Sequence, residues 1–212
     1  MFMLKQEIIS LLQQEKIVAV IRGRNATEAL EISNASIKGG IRIIELTYTT
    51  PFVEEVFKKL QASDGIIGAG TVLDAETARH AILLGAKFIV SPSFSEDVAK
   101  LCNRYSIPYF PGCMTVKEVI QAMEYGCNLI KLFPANHFGM DMLKAIKGPL
   151  PTIQIMPTGG INIENLNDWL HAGAIAVGIG SDLNKSFTKD GYNGVIQMAQ
   201  RYRQKILEGA TK

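Results

Sequence analysis

The sequence predicts an α/β protein, a (β/α)8 TIM barrel with an extra N-terminal helix, formed as a single domain over residues 1–212. Three observations carry that prediction. Short apolar segments recur at a near-constant spacing, amphipathic helical segments separate them, and the apolar segments are close to continuous rather than alternating. Continuous apolar runs suit strands covered on both faces, as in a parallel sheet. Eight strand–helix units of roughly 25 residues bring the chain near the lower size limit of this barrel.

The elements follow in order. Leu4, Ile8, Ile9, Leu11 and Leu12 fall in helical register and predict a first helix over the N-terminal mouth. One set of strands follows Gly40, Gly85, Gly126 and Gly173, glycines 45, 41 and 47 residues apart. A second set starts at Ile17, Ile66, Pro108 and Ile153, with starts 49, 42 and 45 residues apart. The sets interleave, so each period holds two strands and four periods give eight. Apolar residues at three-to-four spacing predict helices over 27–38, 50–61, 74–84, 95–105, 115–125, 140–147 and 163–171, with a last helix over 192–207. Asp74, Ser95 and Thr115 are candidate N-caps, and Glu118 stands at the capping-box distance from Thr115. An open doubly wound sheet is the alternative fold. It would want a G-x-G-x-x-G turn, but Leu73 and Leu183 occupy the third glycine position after Gly68-Ala69-Gly70 and Gly178-Ile179-Gly180.

Composition removes several function classes. With 22 basic and 20 acidic residues, 47% hydrophobic and 20% charged, the chain is neither disordered nor acidic-tailed, and it offers no basic face for nucleic acid. Cys102, Cys113 and Cys127 are too few and too irregularly spaced for a disulfide framework or a C-x-x-C pair. The opening residues show no apolar leader, and no run of 18 apolar residues predicts a membrane span. A cytoplasmic protein is expected.

In such a barrel, chemistry gathers at the C-terminal ends of the strands. The polar residues there are Arg22, Glu45, Thr47, Thr71, Ser91, Lys131, Thr158 and Ser181. Glu45 and Lys131 stand inside apolar runs, where an ionised group is costly unless paired or wet. Either alone reads equally well as a structural residue, reaching for solvent or forming half of an ion pair, and as a functional one. Strands two and six, however, face each other across an eight-stranded barrel. A carboxylate beside an amine in a partly dry pocket equips a site for imine chemistry, because burial favours the neutral, nucleophilic amine. The glycine-rich ends Thr158-Gly159-Gly160 and Gly178-Ile179-Gly180-Ser181 fall on strands seven and eight, where this fold commonly holds phosphate. Of the three histidines, only His137 falls in a loop at that face, so neither metal nor cofactor is expected.

Taken together, these segments resemble the family of 2-keto-3-deoxy-6-phosphogluconate (KDPG) and 4-hydroxy-2-oxoglutarate (KHG) aldolases. The similarity runs from Ile17 to about Leu183 and includes Ile44-Glu45-Leu46-Thr47, Ile67-Gly68-Ala69-Gly70-Thr71-Val72, Ile89-Val90-Ser91-Pro92, Ile130-Lys131-Leu132-Phe133-Pro134 and Pro157-Thr158-Gly159-Gly160. The resemblance implies a class I pyruvate aldolase of bacterial sugar-acid breakdown, the Entner–Doudoroff route, assembled as a homotrimer. It implies Lys131 as the imine-forming lysine and Glu45 as the proton carrier. It also implies Thr71 at the pyruvate carboxylate, Pro92, Phe133 and Thr158 in the pocket, and Gly160, Gly180 and Ser181 at the phosphate. Many members carry an arginine four residues after the glutamate, where this chain has Thr49; Arg22, ending strand one, is expected to supply the missing cation to the carboxylate. The expected partners are a small phosphorylated oxo acid and pyruvate. Cleavage of the galactonate epimer remains an alternative. So do a metal-independent phosphosugar isomerase or epimerase using Glu45 as base, and a phospho-ligand binding protein.

Overall fold

The computed structural model describes residues 5–210. Helix α1 (Lys5–Glu15) precedes β1 (Ile17–Ile21), and Leu4, the first member of the expected helical register, lies outside the described residues. Strand and helix then alternate: α2 (Ala26–Lys38), β2 (Ile43–Thr47), α3 (Val53–Leu60), β3 (Ile66–Gly70), α4 (Ala75–Leu83), β4 (Ile89–Val90) and α5 (Glu96–Arg104). There follow β5 (Tyr109–Phe110), β6 (Gly112–Cys113), α6 (Val116–Glu124), β7 (Leu129–Leu132), α7 (Asp141–Lys147), β8 (Gln154–Pro157), α8 (Leu166–His171), β9 (Val177–Ile179) and α9 (Ser181–Ala210).

Every strand pairing is parallel, in the orders β5-β4-β3-β2-β1-β9 and β6-β7-β8. The segment expected as one strand from Pro108 is divided at Pro111, whose missing N–H interrupts the ladder. Its carbonyl accepts from Lys131 N at 2.8 Å, a bond of the β6–β7 ladder, and the continuous chain from β5 into β6 joins the two sheets at this seam. At the other seam a single parallel bridge joins Thr158 to Gly178.

Local chemistry sets the helix boundaries. Asp74, Ser95 and Thr115 cap α4, α5 and α6 as expected, and Thr115 and Glu118 complete a capping box. Asn25 caps α2 in the same way, accepting from Glu28 N at 2.9 Å. Helix α3 starts later than its periodicity predicts, after Pro51 and after Phe52 at φ 55°. The four glycines of the repeat all take the left-handed conformation that ends a helix, with φ from 79° at Gly126 to 105° at Gly173. The last helix is longer than expected and is broken at Gly191 (φ 60°).

The strands have two buried faces. Ile17, Ala19, Ile21, Ile44, Leu46 and Ile130 pack outward against the helices. Val18, Ile43, Phe88, Val90, Phe110, Leu129, Met156 and Ala176 form a second cluster on the inner face, and Ile8 and Leu12 of α1 join it. Side chains alternate between faces along a strand. Two residues beyond Ile43, Leu129 and Met156 toward the C-terminal end stand Glu45, Lys131 and Thr158. The apolar inner face thus gives way to polar groups at one end of the strands.

Candidate active site

Glu45 and Lys131 come together across the inner face. Lys131 Nζ donates to Glu45 Oε1 at 3.1 Å, with the glutamate side chain fully buried and the lysine 7% exposed. Isolated in such a place, either charge would be expensive; paired, each offsets much of the other's desolvation. Glu45 Oε2 has no hydrogen-bond partner and is buried. The carboxylate fits because β3 presents glycine beside it: a Cβ at Gly70 would lie 2.5 Å from Glu45 Cγ and 2.7 Å from Cδ. The Lys131 ammonium sits 5.3 Å from the centroid of the Phe133 ring, within cation–π range. A buried amine, a carboxylate with one free oxygen, and an aromatic wall are groups that can form and stabilise an imine and move a proton beside it.

Thr71 directly follows β3, in the left-handed region at φ 57°. A β-branched residue is strained there, and such strain concentrates at ligand sites. Pro92 follows β4, and its carbonyl presses on Gly112, where any Cβ would collide with it. Gly112 is the register partner of Lys131, so the Pro92 turn abuts β6, the strand beside that of Lys131.

The remaining expected residues gather in one cavity. Arg22, Thr158, Gly160, Gly180 and Ser181 line it, together with Asn184. Thr158 is 6% exposed and its hydroxyl has no partner. Ser181 opens α9, whose first N–H groups and positive dipole end favour an anion. Gly180 allows the close approach of α9 to β1, since a Cβ there would stand 2.8 Å from the Val20 carbonyl oxygen. Arg22 therefore shares a cavity with the residues expected at the phosphate, and neither Thr71 nor Lys131 lines that cavity. Sequence reasoning had no signal for Asn184, which sits inside a helix. Gly70 was visible only as part of a motif.

Other candidate groups lie elsewhere. Cys113 is buried, and burial pushes its thiol up to about 12. His80 contacts Tyr48 Oη at 3.2 Å, and His171 lies 3.3 Å from the Gly209 carbonyl oxygen. Among the described residues no group of three or more His, Cys, Asp or Glu gathers as metal ligands would. No helix among them is long and apolar enough to cross a membrane.

Comparison with known proteins decides the family. The family model described as KDPG and KHG aldolase matches residues 8–198. The chain belongs to this aldolase family. It is 38% identical over 168 residues to a 2-dehydro-3-deoxy-phosphogluconate aldolase of Haemophilus influenzae, covering 78% of this chain and 79% of that one. It is 34% identical over 174 residues to a 2-dehydro-3-deoxy-6-phosphogalactonate aldolase of Escherichia coli, covering 80% and 85%. Among solved structures it resembles the KDPG aldolase of Legionella pneumophila with pyruvate captured as a covalent carbinolamine. There the TM-score is 0.82 at 28% identity, covering 91% of this chain and 96% of that one. Membership makes the protein a carbon–carbon lyase of the aldolase type.

Proposed function

We propose that this family member is a class I aldolase that reversibly cleaves 2-keto-3-deoxy-6-phosphogluconate to pyruvate and glyceraldehyde 3-phosphate. The observation that carries the reading is the buried contact of Lys131 with Glu45 at the C-terminal ends of their strands. The Lys131 amine adds to the C2 ketone and, with loss of water, gives a protonated imine. Glu45, directly or through a water, takes the proton of the C4 hydroxyl. The C3–C4 bond breaks, its electrons pass into the imine to leave an enamine, and the aldehyde departs. Glu45 returns the proton to C3, and water hydrolyses the imine to release pyruvate and the free amine.

Thr71 is proposed to hold the pyruvate carboxylate, Pro92 and Phe133 to wall the pocket, and Thr158 to contact the sugar chain. Gly160, Gly180 and Ser181 would bind the phosphate, and the position of Arg22 favours that end as well. Remote phosphate binding helps align the reacting bond. The likeness to a 2-dehydro-3-deoxy-6-phosphogalactonate aldolase supports the galactonate epimer as an alternative substrate, so both epimers belong in the first assay; cleavage of 4-hydroxy-2-oxoglutarate to pyruvate and glyoxylate belongs there too. The two seams between the sheets support closure into a (β/α)8 barrel of one domain, with α1 over its N-terminal mouth. A homotrimer, a place in the Entner–Doudoroff route and a cytoplasmic setting are proposed on family grounds, and sedimentation of the purified protein tests the first.

Borohydride reduction in the presence of pyruvate, followed by peptide mapping, tests the mechanism. The reduced pyruvyl adduct is expected on the peptide containing Lys131 and should vanish in Lys131→Met. A label on another lysine, or none in active enzyme, would overturn it.

A further inference from the structure

Arg22 stands one residue past β1, exposed, and its guanidinium has no ion-pair partner among the described residues. A long cation so placed loses side-chain freedom whenever it closes on an anion. Its backbone, by contrast, is fastened from two sides. Asn184 Nδ2 donates to the Arg22 carbonyl at 3.2 Å. The next residue, Gly23, donates its N–H to the buried Thr50 hydroxyl at 3.2 Å. Gly23 also lies close on α2, where an added Cβ would come within 2.7 Å of Ala29.

Asn184 belongs to the first turn of α9, and its own N–H donates to the Gly180 carbonyl at 3.1 Å. One side chain therefore joins the turn that carries the cation to the helix start that carries Gly180 and Ser181. The amide orientation follows from the bond itself, since only its NH2 group can donate to a carbonyl. Asn184 Oδ1 is left buried without a partner. A side chain with an unpaired carbonyl is a poor choice for packing alone. What it accomplishes here is the tie to Arg22.

We infer that Asn184 is a positioning residue for the anion end of the substrate. It fixes the 22–23 turn against α9, so that the Arg22 guanidinium stays over the cavity it shares with Gly160 and Ser181 and serves the phosphate rather than the carboxylate. The inference rests on the aldolase reading above.

A double-mutant cycle tests it. Asn184→Leu is similar in size and lacks the donor. It should raise KM for the phosphorylated oxo acid about 5- to 20-fold with kcat within about threefold. Arg22→Ala should raise KM at least as much, and the double variant should exceed Arg22→Ala by less than about twofold, because Asn184 acts through Arg22. Inhibition by inorganic phosphate should weaken in all three variants, while the pyruvate concentration giving half-maximal borohydride trapping stays within about twofold. Multiplying KM effects in the double variant, or an unchanged KM in Asn184→Leu beside a raised one in Arg22→Ala, would overturn the positioning role. Weakened pyruvate trapping with unchanged phosphate inhibition would return Arg22 to the carboxylate. If Asn184→Leu does not fold, Asn184→Ala enters the same cycle. Failure of wild-type enzyme to trap pyruvate at Lys131 would instead defeat the aldolase reading, so the two failures are distinct.

Discussion

Adding one methyl group at Gly70 should disable Glu45 without touching its chemistry. A Cβ built there lies 2.5 Å from Glu45 Cγ and 2.7 Å from Cδ, with Oε1 closer still. Ordinary carbon contacts are about 3.5–4.0 Å, so the carboxylate must retreat by about 1 Å. It has little room to do so: Glu45 is fully buried, and its Oε1 is held 3.1 Å from Lys131 Nζ. A shift of this size breaks the hydrogen bond or drags Lys131 with it, and misplacing a reacting group by 1 Å costs about 100-fold in rate. Overpacking of this kind also costs about 1–3 kcal/mol in stability. The assay is steady-state cleavage followed by coupled detection of pyruvate, with thermal unfolding alongside. Gly70→Ala is expected to lose about 100-fold in kcat while remaining folded at assay temperature. Gly68→Ala is the control. Its Cβ would collide with the Phe88 ring instead of the carboxylate, so it should lower stability and spare the kcat of the folded enzyme. If Gly70→Ala keeps kcat within about threefold of wild type, the geometry assigned to Glu45 is not the one that moves the proton.

Three further outcomes are expected. Thr115→Ala removes the capping box of α6 and should cost about 1 kcal/mol, seen as a melting temperature lower by about 2–4 °C; no shift would mean the cap contributes nothing. The backbone N–H of Thr77 donates to the Asp74 carboxylate and holds its pKa below the usual range. The folded value lies below the unfolded one, so this contribution is present above about pH 4 and is lost as pH falls through the folded value. Urea unfolding across the acid range should show a shallower loss for Asp74→Asn than for wild type. Burial pushes the thiols of Cys102, Cys113 and Cys127 up to about 12, so Ellman's reagent should label them only on unfolding; rapid labelling of native protein would contradict their burial.

The parts legible in the sequence were those fixed by local chemistry. Gly40 and its three counterparts announce helix ends because left-handed backbone favours glycine, and Asp74, Ser95 and Thr115 announce helix starts because orphan N–H groups need acceptors. Glu45 and Lys131 were legible because a charge inside an apolar run needs an explanation. The geometry of the site was not legible in the same way. The contribution of Gly70 depends on register between β2 and β3, and the shared cavity of Arg22 with Ser181 depends on β9 lying beside β1. The tie from Asn184 to Arg22 spans 162 residues and leaves no periodicity to read. The split at Pro111 is an intermediate case: the proline was in plain view, but whether the ladder resumes beyond it is decided by β7.

The distribution of unmet hydrogen bonds argues for the same end of the molecule independently of any motif. Five buried side-chain atoms among the described residues lack a hydrogen-bond partner: Glu15 Oε2, Glu45 Oε2, Thr158 Oγ1, Asn167 Oδ1 and Asn184 Oδ1. Glu15 Oε2 is nonetheless 2.9 Å from Arg203 Nη1 in an ion pair, so its electrostatic need is met. Of the other four, three lie toward the C-terminal ends of the strands, in the Glu45–Lys131 pair or lining the cavity of Arg22 and Ser181. Each such atom costs about 1–3 kcal/mol when left unmet. Apolar residues of similar shape would remove that cost and strengthen the fold. Glu45 Oε2 and Asn184 Oδ1 only accept, and the Thr158 hydroxyl can also donate, so this cost is relieved by a ligand that brings donor hydroxyls, while the buried amine and the helix N-terminus beside them suit its anionic groups. An oxo acid carrying hydroxyls and a phosphate has the groups to do so.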